Sequence, residues 1–298
     1  MAKKLDTKDF RYDGKQKLNI KKVATKIKDL YDDKEDYAAQ LEDYRNTMDE
    51  LQSKMYAHGR YGLLVIFQAM DAAGKDGTIK HVLSGVNPVG VKIRSFKRPS
   101  ENELNHDYLW RHLVQMSERG AITIFNRSQY EEVLVVRVHP EILTNYQKIP
   151  KELTEDLDKV WEHRLKDTAS FEKYLYRNGI RTVKFFLNVS QKEQGKRLIE
   201  RIEDPSKSWK FEEGDVKERA FWPQYMEAYE DAINATASDK APWYVVPADD
   251  KKNMRLIIGH ILIEELQKME MDYPETTSER QATLQKLIAT IQEQDHSL

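Results

Sequence analysis

Cysteine is absent from this 298-residue chain. That removes a disulfide framework, a cysteine-ligated zinc site and thiol nucleophilic catalysis, and it fits a reducing compartment. Net charge is nearly absent as well: 48 Lys+Arg stand against 50 Asp+Glu, a formal net charge of −2. A globally basic nucleic-acid binder is therefore not indicated, and no nucleic-acid module is apparent. Positive charge for any anionic ligand must be segregated locally. Long apolar runs are missing too. The longest, residues 62–67, is far short of the roughly 20 residues that span a bilayer. The first 30 residues contain no apolar signal-peptide core. There is no internal repeat, low-complexity tract or long linker. These absences predict a soluble, cytoplasmic globular protein with no membrane partner.

Charged residues are abundant, at 33% of the chain against a usual quarter or so. The length allows one large domain with an ample core. The first 20 residues are polar and basic and read as a loose arm. Tyr37, Leu41, Tyr44, Met48, Leu51 and Met55 then recur in steps of four and three, one apolar helical stripe. It packs either on its own core or across a subunit interface. Gly59 is placed to end this helix.

The run GLLVIFQAM follows, short, apolar and bounded by glycine, and reads as a buried strand. Similar runs occupy residues 89–96, 121–125, 182–189 and 243–247. Helical patterns lie between and after them, at residues 102–118, 153–177, 192–202, 216–235 and 254–269. Alternation of this kind predicts an α/β fold: a mainly parallel sheet of about five strands with helices on both faces. Leu284, Leu287, Ile288 and Ile291 mark a further amphipathic helix at the end. The expected organisation is an N-terminal arm and helix (1–58), a core (59–272) with a lid-like segment (197–222), and a C-terminal helix (273–298).

The first strand runs into AMDAAGKDGT, residues 69–78, and then a helix. Strand, glycine-containing turn, lysine and helix is an arrangement that cradles phosphates, because helix-start N–H groups and the helix dipole favour an anion. Against the pattern G-x-x-x-x-G-K-[ST], Ala69 stands at the first glycine and Asp76 at the magnesium-holding hydroxyl. Lys75 would reach transferring phosphates. Ala72, Ala73, Gly74, Gly77 and Thr78 complete the loop and helix start. Asp71 would repel a phosphate by Coulomb's law. It is useful if it holds a cation or accepts a proton; otherwise it caps the turn.

The third strand ends at Asn126, where an aspartate would hold magnesium; Arg127 follows, with a guanidinium able to clamp phosphate. Arg137 lies ten residues on. Residues 197–222 carry Arg197, Arg201, Lys207, Lys210, Lys217 and Arg219, punctuated by Pro205 and Gly214. Such a segment either closes over phosphates or is a solvated charged connection, since acidic residues are interleaved. Trp209 within it suggests docking. Lys92, Arg94, Lys97, Arg98 and Arg111 form a second basic cluster, suited to the path of a long polyanion. His106 and His112 match no metal-binding spacing and read as structural.

AMDAAGKDGT, SFKRPSENELNHDYLWRH, FNRSQYEEVLVVRVHPEIL, RIEDPSKSWKF, DVKERAFWPQYMEAYEDAINAT and APWYVVPADDKKNMR occur in this order. Together they resemble the polyphosphate kinase 2 family, over about residues 56–266. FNRSQYE, rather than an aspartate followed by RSWYN, resembles the class III branch. The resemblance implies a P-loop kinase-like α/β/α sandwich with a helical lid. It implies phosphoryl transfer between inorganic polyphosphate and nucleotides, assisted by Mg2+ with Mn2+ as a substitute. The branch implies AMP and ADP as acceptors and ATP as the end product; guanine nucleotides remain open. Asp71, Gly74 and Lys75 match the phosphate-loop motif, Arg127 and Arg137 the arginines that follow, and Lys207, Lys210 and Arg219 the lid blocks. Asp71, Lys75 and Arg127 are the expected catalytic set. Asn126 departs from the aspartate branch, leaving Asp71, with Glu131, as the expected metal carboxylates. A homodimer or homotetramer is expected. The rival readings are an ATP-dependent nucleoside monophosphate kinase and a nucleotide-binding module without turnover.

Overall fold

The structure is a computed structural model that describes residues 5–296, apart from the side chains of Lys210 and His296. Its strands are β1 (Arg11–Tyr12), β2 (Gly62–Gln68), β3 (Val91–Ser95), β4 (Ile122–Asn126), β5 (Ile180–Asn188) and β6 (Trp243–Pro247). Its helices are α1 (Lys34–His58), α2 (Lys75–Leu83), α3 (Glu101–Leu104), α4 (Trp110–Leu113), α5 (Val135–Val138) and α6 (Glu141–Tyr146). They continue with α7 (Leu157–Arg177), α8 (Gln191–Glu203), α9 (Glu213–Glu218), α10 (Trp222–Thr236), α11 (Lys251–Gln267) and α12 (Ser278–His296).

The strand order is β1-β6-β5-β2-β4-β3. β2 to β6 pair in parallel, and every residue of β2 is buried, as a strand covered on both faces must be. After β2 the chain builds β3 and β4 on one side, then crosses to β5 on the other. The crevice at such a switch point is where ligands sit in open parallel sheets. α1, α2 and α11 pack together as one helical layer. α7 and α10 pack together as another, with α7 against β5. No helix among the described residues is long and apolar enough to cross a membrane.

Helix ends follow local chemistry. Asp33 caps α1 by accepting from the Asp36 N–H at 2.8 Å, and Gly59 closes it at φ 64°. Ser190 caps α8 through the Glu193 N–H at 3.1 Å, and Asp250 caps α11 through the Asn253 N–H at 2.7 Å.

Two expectations are corrected and two are sharpened. The sheet has six strands, because the short β1 adds antiparallel to β6. The first 20 residues are no loose arm: Phe10, Leu18 and Ile20 are buried, and the side chain of Asn234 exchanges hydrogen bonds with both backbone groups of Leu18. Single-residue apolar anchors of this kind leave no periodic signal. The helix expected over 102–118 is two four-residue helices, α3 and α4, with Asp107 accepting from the Leu109 N–H and so turning the chain between them. The apolar stripe of α1 packs on this chain's own α11: Leu41, Met48 and Met55 are buried there.

Candidate active site

The carboxyl end of β2 leads into residues 69–74, and α2 starts at Lys75. Two residues take left-handed backbone, Ala72 at φ 58° and Gly74 at φ 108°. A Cβ at Gly74 would lie 3.4 Å from Met254 Cε, so glycine suits both the torsion and the space. The loop carbonyls are all engaged. Lys75 Nζ donates to the carbonyls of Ala69 (2.7 Å) and Met70 (3.4 Å). Gln194 Nε2 donates to the carbonyl of Asp71 (3.0 Å). Arg197 Nη1 donates to those of Ala72 (3.4 Å) and Ala73 (2.8 Å), and the Thr78 N–H donates to that of Gly74 (3.0 Å). Burial, and next the nearby Arg127 charge, push the Lys75 ammonium below its ordinary value; Asp71, Glu131 and Asp76 oppose this.

Arg127 sits just beyond β4 at φ 66°, its N–H donating to the carbonyl of Phe67 (3.1 Å). A non-glycine residue in that region is uncommon and often marks a functional turn. Its Nη2 donates to Asp71 Oδ1 (2.8 Å), and its Nη1 lies 3.8 Å from Glu131 Oε2. Glu131 first, then Asp71, raise the guanidinium above its ordinary value against the effect of burial. Asn126 Nδ2 donates to Asp76 Oδ1 (2.7 Å), joining β4 to the start of α2. The structure thus gathers Asp71, Lys75, Asp76, Asn126, Arg127 and Glu131 into one site.

Other expected residues lie around it. Arg137 pairs with Asp231 of α10 (2.8 Å). Arg219 donates to Gln194 Oε1 (2.7 Å) and to the Gln191 carbonyl (3.0 Å). Arg201 pairs with Asp215 (3.1 Å), whose carboxyl is raised by burial and then by Asp71. Lys207 pairs within its own turn with Asp204. The Lys210 side chain lies outside the described residues. Lys97 and Arg98 are exposed beyond β3, with Arg98 5.4 Å from the centre of the Tyr146 ring. Trp209, expected to dock, is 75% exposed, its indole donating to the Ser206 carbonyl (3.0 Å). Arg197, counted with the lid cations, is buried against the phosphate loop and β6 exit instead. His106 stacks on Trp110, and His112 is buried against Phe96, both structural.

Sequence reasoning missed Gln194. The one signal for it is spacing: Gln194 and Arg197 are i and i+3 on α8, one face of one helix. A cavity of about 310 Å³ opens between residues 99–111 and 147–150. Pro99, Leu104, Tyr108 and Ile149 line it, with the Glu132 carboxylate held by Arg164 (2.9 Å) and Gln147 (2.6 Å). Its walls follow β3 and β4, at the same end of the sheet as the phosphate loop.

Magnesium, when bound alongside phosphates, needs only one or two protein carboxylates, the phosphates and water supplying the remaining oxygens. Among the described residues no group of three or more His, Asp or Glu could hold a metal ion by itself. Asp71 and Glu131 offer the carboxylates such an ion would share with a phosphate ligand, although Arg127 engages both here.

The profile of the polyphosphate kinase 2 family matches residues 31–274. An "ADP-polyphosphate phosphotransferase" of Rhodopseudomonas palustris is 47% identical over 282 residues, 94% of this chain and 96% of the relative. An "AMP/ADP-polyphosphate phosphotransferase" of Meiothermus ruber is 45% identical over 235 residues, 78% of this chain and 83% of the relative. Among solved structures, the crystal structure of polyphosphate kinase 2 from Arthrobacter aurescens superposes with a TM-score of 0.80 at 36% identity, covering 93% of this chain and 95% of the other.

Proposed function

The chain belongs to the polyphosphate kinase 2 family, and on that premise we propose how it performs polyphosphate-dependent phosphoryl transfer to nucleotides. The observation that carries the assignment is the phosphate loop. Its carbonyls are turned onto protein donors, and Lys75 stands at the helix start beside Arg127. The terminal phosphoryl group of polyphosphate is held there by Lys75 and the N–H groups of Gly74 to Gly77. A terminal oxygen of the acceptor phosphate attacks that phosphorus in line. The bond to the penultimate phosphate breaks, and the chain leaves one unit shorter, its new terminal oxygen keeping the electron pair.

Acceptor phosphate oxygens are largely ionised at neutral pH, so little base help is needed. Positioning and charge neutralisation by Lys75 and Arg127 dominate. Asp71 orients Arg127 and, with Glu131, is the carboxylate assigned to Mg2+, or Mn2+ in its place. The ion offsets phosphate charge when bound.

Both ADP and AMP are assigned as acceptors, giving ATP and ADP. The two relatives that differ in the acceptors they are named for are almost equally similar, 47% and 45% identical, so overall likeness does not separate them. The FNRSQYE block supports the AMP-handling assignment. The nucleoside is assigned to the cavity floored by Glu132 and walled by Pro99, Leu104 and Ile149. Lys97, Arg98, Lys207 and Lys210 are assigned to polyphosphate contact, and Arg219 to holding the lid segment against α8. Assembly as a homodimer or homotetramer in the cytoplasm belongs to the same proposal, and light scattering on the purified protein reads the assembly.

The deciding experiment is a luminescent ATP assay on purified protein with magnesium and long-chain polyphosphate. AMP and ADP are run separately, against controls lacking polyphosphate or magnesium. ATP from both, only with polyphosphate, is the expected outcome. ATP from ADP alone removes the AMP assignment, and ATP consumption on AMP without polyphosphate replaces the reading with a monophosphate kinase.

A further inference from the structure

A trans peptide is planar, so its C=O and N–H point in opposite directions. Whatever fixes the carbonyls of a phosphate loop therefore fixes the direction of its N–H groups. Three successive carbonyls here, those of Asp71, Ala72 and Ala73, are held from outside the loop by two side chains of one helix. Gln194 takes the first at 3.0 Å; Arg197 takes the second and third at 3.4 Å and 2.8 Å. The Ala73 carbonyl belongs to the same peptide as the Gly74 N–H. With that carbonyl drawn to Arg197, the Gly74 N–H faces away from α8.

Arg197 is itself fixed. Its Nη2 donates to the carbonyls of Ala248 (2.7 Å) and Asp249 (3.0 Å) beyond β6, and its Nε to Glu193 (2.9 Å). It is 5% exposed, while Gln194 is 1% exposed. A guanidinium so enclosed is not a surface cation waiting for an anion; it ties the loop to the neighbouring strand end. Gln194 uses its other atom as well: its Oε1 accepts from Arg219 Nη1 at 2.7 Å. Arg219 also holds the Gln191 carbonyl (3.0 Å), while Gln191 Nε2 donates back to the Arg219 carbonyl (3.2 Å). Arg219 lies at the far end of residues 204–221, the segment that leaves α8 and returns to α10.

We propose that Gln194 and Arg197 are positioning residues that aim the phosphate-loop N–H groups at the anion, and that Arg219 couples the lid segment to the loop through Gln194. The inference rests on the reading of residues 69–78 as the phosphate site. It assigns Arg197 no contact with substrate.

The test uses the full chain with Arg197→Ala, Arg197→Lys, Gln194→Ala and Arg219→Ala. Tripolyphosphate affinity by calorimetry is the primary readout, since it needs no turnover. KM for polyphosphate and for ADP, and the thermal midpoint, are read alongside. Loss of a charge-assisted brace is expected to weaken tripolyphosphate binding by about tenfold or more in Arg197→Ala. The polyphosphate KM should rise in step, with the ADP KM unchanged. Millimolar guanidinium should recover part of the loss in Arg197→Ala, as should the lysine in Arg197→Lys. Gln194→Ala and Arg219→Ala should each weaken binding a few-fold, and the double variant no more than the stronger single one.

Wild-type tripolyphosphate affinity in a folded Arg197→Ala overturns the proposal. So does a loss that raises both KM values equally and that guanidinium does not recover. If Arg197→Ala does not fold, Gln194→Ala carries the test, and unchanged affinity there overturns it. Additive effects of the Gln194 and Arg219 changes overturn the coupling. A wild-type protein that binds tripolyphosphate but makes no ATP removes the proposed function and leaves this inference standing; one that binds no tripolyphosphate removes the inference.

Discussion

Two lysines of this chain, one buried and one half-buried, hold their charge in opposite ways. Lys184, on β5, is 0% exposed, and its ammonium pairs with Glu172, itself 2% exposed. It also donates to the Thr236 carbonyl (2.9 Å) and the Tyr130 hydroxyl (3.2 Å), with the Trp243 indole closing the network onto Thr236 (2.9 Å). Lys75, on the phosphate loop, is held by main-chain carbonyls alone, and its neighbouring carboxylates Asp71 and Glu131 are turned to Arg127. Burial lowers both ammonium groups from the ordinary value. The lesson is one of charge balance. A cation neutralised by a carboxylate fixes the packing of its neighbours. A cation held only by dipoles keeps its net charge for an anion that arrives.

The comparison is broken most directly at Lys75. Lys75→Ala should lower phosphoryl transfer by about a hundred- to a thousand-fold or more, as loss of a group that stabilises transition-state charge does. Its thermal midpoint should stay near that of the parent. Near-parental turnover with both nucleotides would end the assignment.

Lys184→Met should do the reverse. It leaves Glu172 buried without its cation, so stability should drop by about 3–5 kcal/mol in urea unfolding. Turnover per folded molecule should be kept. Adding Glu172→Leu should restore much of the stability, because both charges then leave the core together. A stable single variant with lost activity would reverse the two roles.

A buried histidine extends the contrast. His112 has no carboxylate bonded to it, and burial, aided by Arg111, pushes its imidazole down to about 3. The folded state then binds fewer protons than the unfolded state between about pH 3 and the ordinary 6.5. Stability therefore falls as pH falls through that window, by about 2 kcal/mol from this group at pH 5. His112→Phe, which keeps the ring against Phe96, should flatten this part of the pH profile of urea unfolding. An unchanged slope would contradict the buried neutral form.

The smallest effect refines the Lys75 side. Lys75 must be protonated to meet phosphate, and its ammonium lies below the ordinary 10.5. The alkaline limb of kcat/KM should therefore fall below that value. Glu131 opposes the lowering, so Glu131→Gln should move the limb further down in pH. A limb that moves upward would show that Glu131 does not act on Lys75.

Much of this was legible in the chain itself. The five parallel strands, the long helices and the phosphate loop follow from apolar runs, 3.6-residue periodicity and one glycine–lysine turn. Asp71 and Lys75 were singled out by the glycine–lysine turn between β2 and α2, and Arg127 by its place just beyond β4. The short edge strand β1 was not legible, since two residues leave no period. The break between α3 and α4 was hidden because helical spacing continues across a single side-chain-capped turn. Arg197 was legible as a cation but not as a brace. Nothing local distinguishes an arginine that reaches outward from one enclosed by a loop and a strand end from elsewhere in the chain.

Sequence by itself determined what the local backbone and the ligand chemistry need: a buried strand, a turn with glycine at its left-handed position, and a lysine at a helix start. Those are properties of neighbours in the chain. Tertiary structure alone decided how the charges were shared. It gave Glu172 to Lys184, Asp71 and Glu131 to Arg127, and main-chain carbonyls to Lys75 and Arg197. Coulomb and hydrogen-bond energies depend on distances across the fold, and those distances exist only once the sheet order has brought the strand ends together.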